Sequence, residues 1–382
     1  MSDLPEEVVV DIVSRLPVKS LLKFRCVSKP WCALIDSTNF MKSHLKRSIE
    51  TKNNMSLILD DEDQLYSIDF ESFDKAVKLD HPLKNEIFQT EVLGSCNGLL
   101  CLSNTEEDIV LWNPSIRKHR KLPFTPIEFR SGFYCQFIVY GFGHDVVNDD
   151  YKLVRMVQFY VEDNDSFCSE VTVYNLISNS WRRIPDFPYY LRYKQVNGVL
   201  ASGALHWVVT REPESDTAAL IAAFDIGTED YRLVPQPEYS DTNFHMNVRV
   251  IGDDLSIFCN YYFAHSARID IWVMKEYGVK ESWTKLFSVA RPSLIRSFEY
   301  VVTIAYSKSR DKVLLEQDSK WLLWYDLKKK SVEYIWIGGL PNFFSTNVCL
   351  GSLVPLGADG RSDGKKQPAQ EKRKKKKNCK KR

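Results

Sequence analysis

The sequence predicts a short helical module, an all-β body built from repeated units, and a polar, basic tail, in that order. Apolar residues at helical spacing near the amino terminus predict the helices. Short runs rich in Val, Ile, Tyr, Phe and Trp, separated by Gly, Pro, Asn and Asp from residue 55 to 356, predict many antiparallel strands. The 382 residues are 44% hydrophobic and 13% aromatic, which excludes a mostly disordered chain and supplies a sizeable core.

The helical module spans residues 4–45. Pro5 is tolerated in a first helical turn and Pro17 ends that helix, and a second short helix follows from Val18 to about Cys26. A third segment completes the module. The apolar residues that predict its buried faces are Val8, Val9, Ile12, Val13, Leu16, Leu21, Leu22, Val27, Trp31, Leu34, Ile35 and Phe40. Three helices in about forty residues bury too little surface to stabilise a domain alone, so the module is expected to need a partner.

The body contains six similar units, each a strand, a turn and a second strand. Their anchor residues are Asp69, Asn113, Asn175, Asp225, Val273 and Asp326, spaced 44 to 62 residues apart. A period near 50 matches the kelch type of β-propeller blade, and a strand pair before most units completes four strands per blade. We therefore expect a kelch-like β-propeller of about six blades. The imperfect repeat leaves an open, curved stack of sheets as the alternative.

The charge of the chain is split between body and tail. The formal net charge is +1, but residues 361–382 hold 12 Lys/Arg against Asp363 and Glu371, which leaves −9 on the remainder. A body of that charge has no reason to seek nucleic acid. The tail, residues 357–382, is predicted to be disordered, and its basic block is typical of nuclear import; a solvated tail that aids solubility is the alternative. The import block is Lys372, Arg373, Lys374, Lys375, Lys376 and Lys377.

The compartment follows from what the chain lacks. It opens with acidic residues rather than a secretory signal, and no apolar stretch approaches the roughly 20 residues of a membrane-spanning helix. Nine cysteines without a C-x-x-C pair indicate reduced, mostly buried thiols rather than disulfides or a zinc site. We therefore expect a protein of the nucleus and cytoplasm.

The sequence carries no recognisable catalytic signature, so no enzyme activity, metal or cofactor is expected. His206 lies in an apolar strand and is expected to be a core residue. Two acidic clusters lack the EF-hand pattern and are expected to be solvated loops. They are Asp60, Asp61, Glu62 and Asp63, and Asp145, Asn148, Asp149 and Asp150. The recurring aromatic residues are expected to pack in the core; they are Trp112, Trp181, Trp272 and Tyr325.

Two stretches of sequence resemble known domains. LPEEVVVDIVSRLPVKSLLKFRCVSKPWCALI resembles an F-box, and GSCNGLLCL, LWNPSIRKHRKLP, VYNLISNSWRRIP and GALHW resemble the type 1 F-box-associated domain of plant F-box/kelch-repeat proteins. Within that family the chain is most similar to the constitutive-expresser-of-pathogenesis-related-genes type. The expected domains are an F-box at 1–45, a linker and first strand at 46–64, the kelch-like F-box-associated propeller at 65–356, and the tail at 357–382.

The resemblance implies a non-catalytic receptor subunit of a Skp1-Cullin-F-box ubiquitin ligase, with an immune receptor as the implied class of target. It implies docking on Skp1, and through it on a cullin, by Leu4, Pro5, Ile12, Leu16, Pro17, Leu21 and Trp31. The alternative is a stand-alone propeller that binds a glycan or small ligand, with the helices as a cap.

Loops of the propeller are the expected target surface, because loops vary while the scaffold holds them. Four segments are candidates: 125–136, 160–169, 186–195 and 236–246. Tyr and Arg are frequent in binding hot spots, which favours the third segment. Its candidate residues are Tyr189, Tyr190, Arg192 and Tyr193.

Overall fold

The structure is a computed structural model that describes residues 5–61, 64–85, 87–129, 132–161, 166–193, 196–213, 219–261, 268–290 and 300–356. The predicted basic tail lies outside these residues. The chain begins with α1 (Glu6–Ser14), α2 (Val18–Phe24), α3 (Lys29–Ile35) and α4 (Thr38–Thr51). The prediction of three helices is wrong, because the third segment forms two: Ser37 Oγ accepts a hydrogen bond from Phe40 N at 3.2 Å and caps a new helix.

An all-β body of six sheets follows, as the repeat predicts. Blade 1 contains β1 (Met55–Asp61), β2 (Gln64–Asp69) and β3 (Val77–Lys78). Blade 2 contains β4 (Glu91–Cys96), β5 (Leu99–Thr105), β6 (Asp108–Asn113) and β7 (Lys118–Lys121). Blade 3 contains β8 (Tyr134–Asp145), β9 (Asp150–Val161), β10 (Ser166–Asn175) and β11 (Ser180–Ile184).

Blade 4 contains β12 (Tyr190–Leu191), β13 (Val199–Ala201), β14 (Ala204–Thr210), β15 (Leu220–Asp225) and β16 (Tyr231–Leu233). Blade 5 contains β17 (His245–Ile251), β18 (Asp254–Tyr261), β19 (Arg268–Met274) and β20 (Trp283–Ala290). Blade 6 contains β21 (Val301–Tyr306), β22 (Lys312–Gln317), β23 (Trp321–Asp326) and β24 (Ser331–Tyr334). The last strand, β25 (Ser345–Leu350), returns to blade 1 as its inner strand.

Pairing between the two ends of the body closes the ring. β25 pairs antiparallel with β1, from Met55 opposite Leu350 to Asp60 opposite Ser345. Leu57 of blade 1 packs in one cluster with Ile304 and Leu314 of blade 6. The open stack of sheets is thereby excluded, and a propeller of six blades is confirmed.

The anchor residues end the third strand of their blades and start the next turn. Asp225 Oδ1, for example, accepts hydrogen bonds from Gly227 N and Thr228 N, both at 3.0 Å. In blade 5 the predicted anchor Val273 is wrong, because Met274 lies opposite Trp283 as Phe224 lies opposite Tyr231. The residue equivalent to Asp225 is therefore Lys275, two positions later. A longer turn that contains Gly278 at φ +83° replaces the Asp-based turn there.

A repeated hydrogen bond joins neighbouring blades at their outer strands. Trp181 Nε1 donates to Pro123 O at 2.7 Å, and Trp283 Nε1 donates to Pro235 O at 2.8 Å. Each aromatic residue is the first or second residue of the outer strand of one blade, and each proline follows the outer strand of the blade before it. The aromatic and proline residues that recur in the sequence therefore build the contact between blades.

The two ends of the propeller differ in what covers them. Because neighbouring strands are antiparallel, the turns after the first and third strands of each blade lie at one end, which we call proximal. The turns after the second strands and the connections between blades lie at the other, distal end. The helices pack on the proximal end: Lys42 pairs with Asp149, Lys52 pairs with Asp253 at 2.6 Å, and Ile116 packs against the helical core.

Residues 351–356, the terminal strap, fix the helices to the propeller. Gly351 N donates to Asn54 O at 2.7 Å, and Asn113 Nδ2 donates to Ser352 O at 3.1 Å. Leu353 is 6% exposed and lies in the core of the helical module, beside Leu21. Gly98, at φ +81°, lets the strap pass, since a Cβ there would lie 2.4 Å from Leu350 O. Helices and propeller therefore share one buried junction.

Candidate functional site

The helical module exposes apolar side chains that its own core does not cover. Val8 and Ile12 lie one turn apart on α1, and Ile12 is 49% exposed. Among the described residues of the module, the exposed large hydrophobic ones are Val8, Ile12, Phe24, Val27 and Ile49. Exposed apolar groups of this kind are typical of a protein-docking surface.

The residues that the sequence assigns to docking differ in how much of each is exposed to solvent. Surface positions are occupied by Pro5, Ile12 and Pro17, whereas Leu16 and Trp31 are half-buried. Leu21 is fully buried and leaves no side-chain surface for a partner, so it supports the module from within. Leu4 lies outside the described residues. Phe24, which the sequence does not single out, stacks on Trp31 with ring centroids 5.5 Å apart.

Charged contacts fix the helices around this surface. Asp11 on α1 pairs with Arg15 at 2.7 Å and with Arg47 of α4 at 3.1 Å. The hydrogen bond from Arg15, with the charges of both guanidinium groups, lowers the pKa of Asp11. Arg25 pairs with Asp36 at 2.7 Å and connects the ends of α2 and α3. The exposed apolar side chains are therefore presented by helices in a fixed arrangement.

The distal end carries most of the exposed aromatic residues. Each of them lies in a connection between blades or at the distal end of a strand: Phe88, Phe124, Phe129, Tyr134, Trp321, Trp336 and Phe343. The one further exposed aromatic residue among those described is Phe24 of the helical module. A distal end rich in exposed aromatic side chains is a second candidate docking surface, opposite the first.

The loops predicted to bind a target all belong to the distal end. Three are connections between blades, and 160–169 contains the second turn of blade 3, of which 162–165 lie outside the described residues. The tyrosines of 186–195 are half-buried. Tyr190 packs edge-on against Phe137 and Phe167, and Tyr193 lies 4.3 Å from the ring of His245.

The structure also gives the contacts of two more predicted target residues, Tyr189 and Arg192. Tyr189 packs against Phe187 with centroids 5.5 Å apart, and the exposed Arg192 donates its backbone N–H to Val208 O. The segment 186–193 thus contributes mainly packing, and its role in target binding stays a prediction. Sequence reasoning missed Trp336 and Phe343. Their signal is position: they lie in a connection between strands, where a core role is not expected.

His206 is a buried core residue, as predicted. Its ring nitrogens lie 3.1 Å from Val199 O and 2.7 Å from Tyr277 Oη. Burial lowers the pKa of His206 to about 4, which keeps the ring neutral. Among the eight described cysteines, the prediction that the thiols are mostly buried holds for half: Cys96, Cys101, Cys259 and Cys349.

The acidic clusters are structural, and the prediction of solvated loops is wrong for one of them. Asp145 is buried and pairs with the buried Lys152 at 2.8 Å, while Asp150 is also buried. Asp149 of the same turn bonds to α4 through Lys42. Asp60 is half-buried, and Glu62 and Asp63 lie outside the described residues. Within the described part of the chain, His, Cys, Asp and Glu side chains form no group of three suited to a metal ion.

One cavity of about 170 Å³ lies between residues 125–128 and the outer strands of blade 3. Its buried carboxylate, Glu170, is paired with Arg155 at 3.2 Å and with Arg183 at 3.5 Å, so the charges satisfy one another. Ligand pockets usually measure about 300 to 1,000 Å³. This cavity gives no support to a glycan or small-ligand site.

Comparison with known proteins matches both parts of the chain. Residues 1–43 match the F-box domain, and residues 53–352 match the F-box associated beta propeller domain. The chain is 39% identical to F-box protein CPR1 of Arabidopsis thaliana, over 94% of this chain and 90% of that protein. It is 32% identical to F-box protein At4g22390 of the same plant, over 98% of this chain and 97% of that protein.

Among solved structures, oligogalacturonate lyase from Vibrio parahaemolyticus aligns with a TM-score of 0.43 at 9% identity, covering 76% of each chain. That similarity is too low to carry an argument. Across the described residues, the structure has no helix with the length and hydropathy needed to cross a membrane.

Proposed function

Because the chain belongs to the family of F-box proteins with an F-box-associated β-propeller domain, which implies a substrate-recognition role in Skp1-Cullin-F-box ubiquitin ligases, we propose that it docks a Skp1-type adaptor through its helical module and holds a target protein at the distal end of its propeller. It acts without catalytic residues of its own. Ubiquitin transfer belongs to other subunits, and the receptor contributes by holding the target close to them.

The observation that carries this proposal is the placement of two exposed apolar surfaces at opposite ends of one structure. The helices that carry the first surface pack on the proximal end of the propeller, and the distal aromatic residues lie at the other end. The terminal strap fixes one relative to the other through buried contacts. A receptor needs this arrangement, since adaptor and target must bind at the same time.

The target remains to be found by experiment. The resemblance to the constitutive-expresser-of-pathogenesis-related-genes type makes an immune receptor the first class of target to test. Recognition by protein surface fits the distal end, where exposed aromatic residues come from several connections between blades.

Co-purification with a Skp1-type adaptor tests the docking step. We expect Ile12→Asp to weaken binding at least about tenfold, because it places a charge in an apolar interface. Ile177→Asp is the matched control: Ile177 is 73% exposed in the third turn of blade 3, outside the helical module. Retention of full binding by Ile12→Asp, or no binding by the folded wild type, would overturn the proposal.

We also propose that the protein is present in the nucleus and cytoplasm, with import by the basic block at 372–377. This block lies outside the described residues, so the proposal depends on its sequence. Deletion of residues 357–382 is expected to abolish nuclear accumulation of a fluorescent fusion. Replacement of the six basic residues by Gln separates charge from length, and an unchanged distribution in both variants would refute import by this block.

A further inference from the structure

Blade 6 carries four aromatic side chains and one lysine at its distal end, a group that we call the aromatic ledge: Lys320, Trp321, Tyr334, Trp336 and Phe343. Trp321 meets Tyr334 at 6.1 Å and 87°, and it meets Trp336 at 6.2 Å and 78°. Three rings therefore stand edge to face in a row. Lys320 Nζ lies 4.6 Å from the centroid of the Phe343 ring.

The backbone that presents the ledge is held at several points. Tyr334 Oη donates to Gln317 Oε1 at 3.2 Å, and Phe344 N donates to Ser319 O at 2.8 Å. Gly338 exchanges two hydrogen bonds with blade 1, one from Gly338 N to Asp74 O and one from Ala76 N to Gly338 O. The exposure of the ledge therefore does not come from a loosely held loop.

Trp336 has no structural task that would explain its position. It is 83% exposed, whereas its neighbours Ile335 and Ile337 pack against the core between blades 6 and 1. Trp321 is the ring it meets, and that contact is also at the surface. An exposed tryptophan with a fixed backbone offers a large contact area at little cost in conformational entropy.

We propose that the aromatic ledge binds a proline-rich segment of a partner protein in the polyproline II conformation, with an acidic residue of that segment next to Lys320. This proposal deepens the proposed function, because it names a class of target sequence for the distal end. A row of edge-to-face rings leaves shallow troughs that suit flat proline rings. The polyproline II backbone makes no internal hydrogen bonds, so its carbonyls can accept from the exposed indole N–H of Trp336.

The acidic residue of the proposed partner segment is inferred from the charge of the ledge. The connection from Ile335 to Phe344 contains no charged residue, so Lys320 supplies the charge of the ledge. In the described structure its ammonium lies over the Phe343 ring and makes no ion pair with a described carboxylate. A partner carboxylate can therefore pair with Lys320 without displacing an existing ion pair.

Peptide binding by the full-length protein tests the ledge. The probe is a fluorescent ten-proline peptide with two Asp residues at each end; the comparison peptides carry Lys in place of Asp, or Gly and Ser in place of Pro. We expect the Asp-proline peptide to bind best. Trp336→Ala should weaken its binding at least about tenfold. Lys320→Glu should weaken the Asp peptide and strengthen the Lys peptide, and Ile177→Ala, far from the ledge, should change neither.

Equal binding of the Gly-Ser peptide, or Asp-proline binding that Trp336→Ala leaves unchanged, would overturn the proposal. So would a wild-type dimer that Trp336→Ala converts to a monomer in light scattering, because a second copy would then occupy the ledge. Co-purification with the Skp1-type adaptor separates the two proposals: Trp336→Ala and Lys320→Glu should both retain it. Failure of wild type to bind the adaptor refutes ligase assembly and leaves the peptide result standing.

Discussion

Asp60, at the distal end of β1, keeps its carboxyl proton at a higher pH than an ordinary aspartate does. Its Oδ2 accepts a hydrogen bond from Val92 N at 3.1 Å, which favours the charged form. Burial outweighs that bond and, with the nearby Glu91 and Asp61, raises the pKa of Asp60 to about 7. The folded state thus keeps a proton that the unfolded chain loses near pH 4. The contribution of Asp60 to the free energy of unfolding is therefore complete below about pH 4, and it is lost as the pH rises through about 7.

Asp60→Asn keeps the hydrogen-bond acceptor and removes the titration. We expect the free energy of unfolding at pH 8 to rise by about 2 to 4 kcal/mol and its decline between pH 5 and 8 to flatten. Urea unfolding at both pH values measures this. Asp74→Asn, at an exposed site, serves as the control. A variant with the pH dependence of wild type would show that Asp60 is already charged in the fold.

The burial of single residues in the helical module could not be predicted from the sequence. The apolar spacing of α1 and α2 marks both Ile12 and Leu21, yet one is half exposed and the other fully buried. Leu21 belongs to a core cluster that also contains Leu353, more than three hundred residues away in the chain. Local periodicity carries no information about such a distant contact.

The turn after the third strand recurs in blades 1, 4 and 6, where an Asp carboxylate accepts hydrogen bonds from two backbone N–H groups that follow it. Asp225→Ala should lower the free energy of unfolding by about 1 kcal/mol, because two backbone N–H groups lose their acceptor. Asp225→Asn should be nearly neutral, since the amide oxygen can accept both bonds. Chemical denaturation of the three proteins makes the comparison. If Asp225→Asn lowers the free energy of unfolding as much as Asp225→Ala does, then Asp225 stabilises the fold through its ion pair with Arg232 at 3.8 Å and not through the turn.

Element positions were predictable where turn chemistry is encoded locally. Five anchors end a third strand as the sequence indicates, while the sixth was misaligned by two residues. Blade 5 lacks the Asp or Asn signal because its turn runs from Lys275 to a short 3-10 helix at Lys280–Ser282. The boundary between α3 and α4 was also missed, because the apolar pattern there predicts one helical segment whereas Ser37 caps the start of a second helix.

At the scale of the molecule, the terminal strap makes the helical module depend on the end of the propeller. A chain that ends at Leu350 keeps β25 but loses Leu353 from the helical core. We expect it to unfold at lower temperature than a chain that ends at Leu356 and to lose adaptor binding. Leu353→Ala in the full chain should cost about 2 to 5 kcal/mol by leaving a cavity. Identical behaviour of the two truncations would show that the strap is dispensable.

The sequence therefore predicted the helical module and the six repeats, whereas both docking surfaces stay predictions. Ring closure was not predictable, because it pairs 345–350 with 55–60 and leaves no local pattern. The aromatic ledge was missed because frequency of Tyr and Arg drew attention to 186–195, where tyrosines pack inward. Which aromatic residues face outward depends on the packing of neighbouring blades.

The position of β25 and Leu353 also has a consequence for synthesis. The chain leaves the ribosome amino terminus first, so the helical module emerges before the propeller and is completed only after it. Until the final residues arrive, blade 1 lacks its inner strand and the helices lack a core side chain. Under the proposed function, prematurely terminated chains would lack a finished adaptor-docking module. Assembly into a ligase would then select receptors that were translated to the end of the propeller.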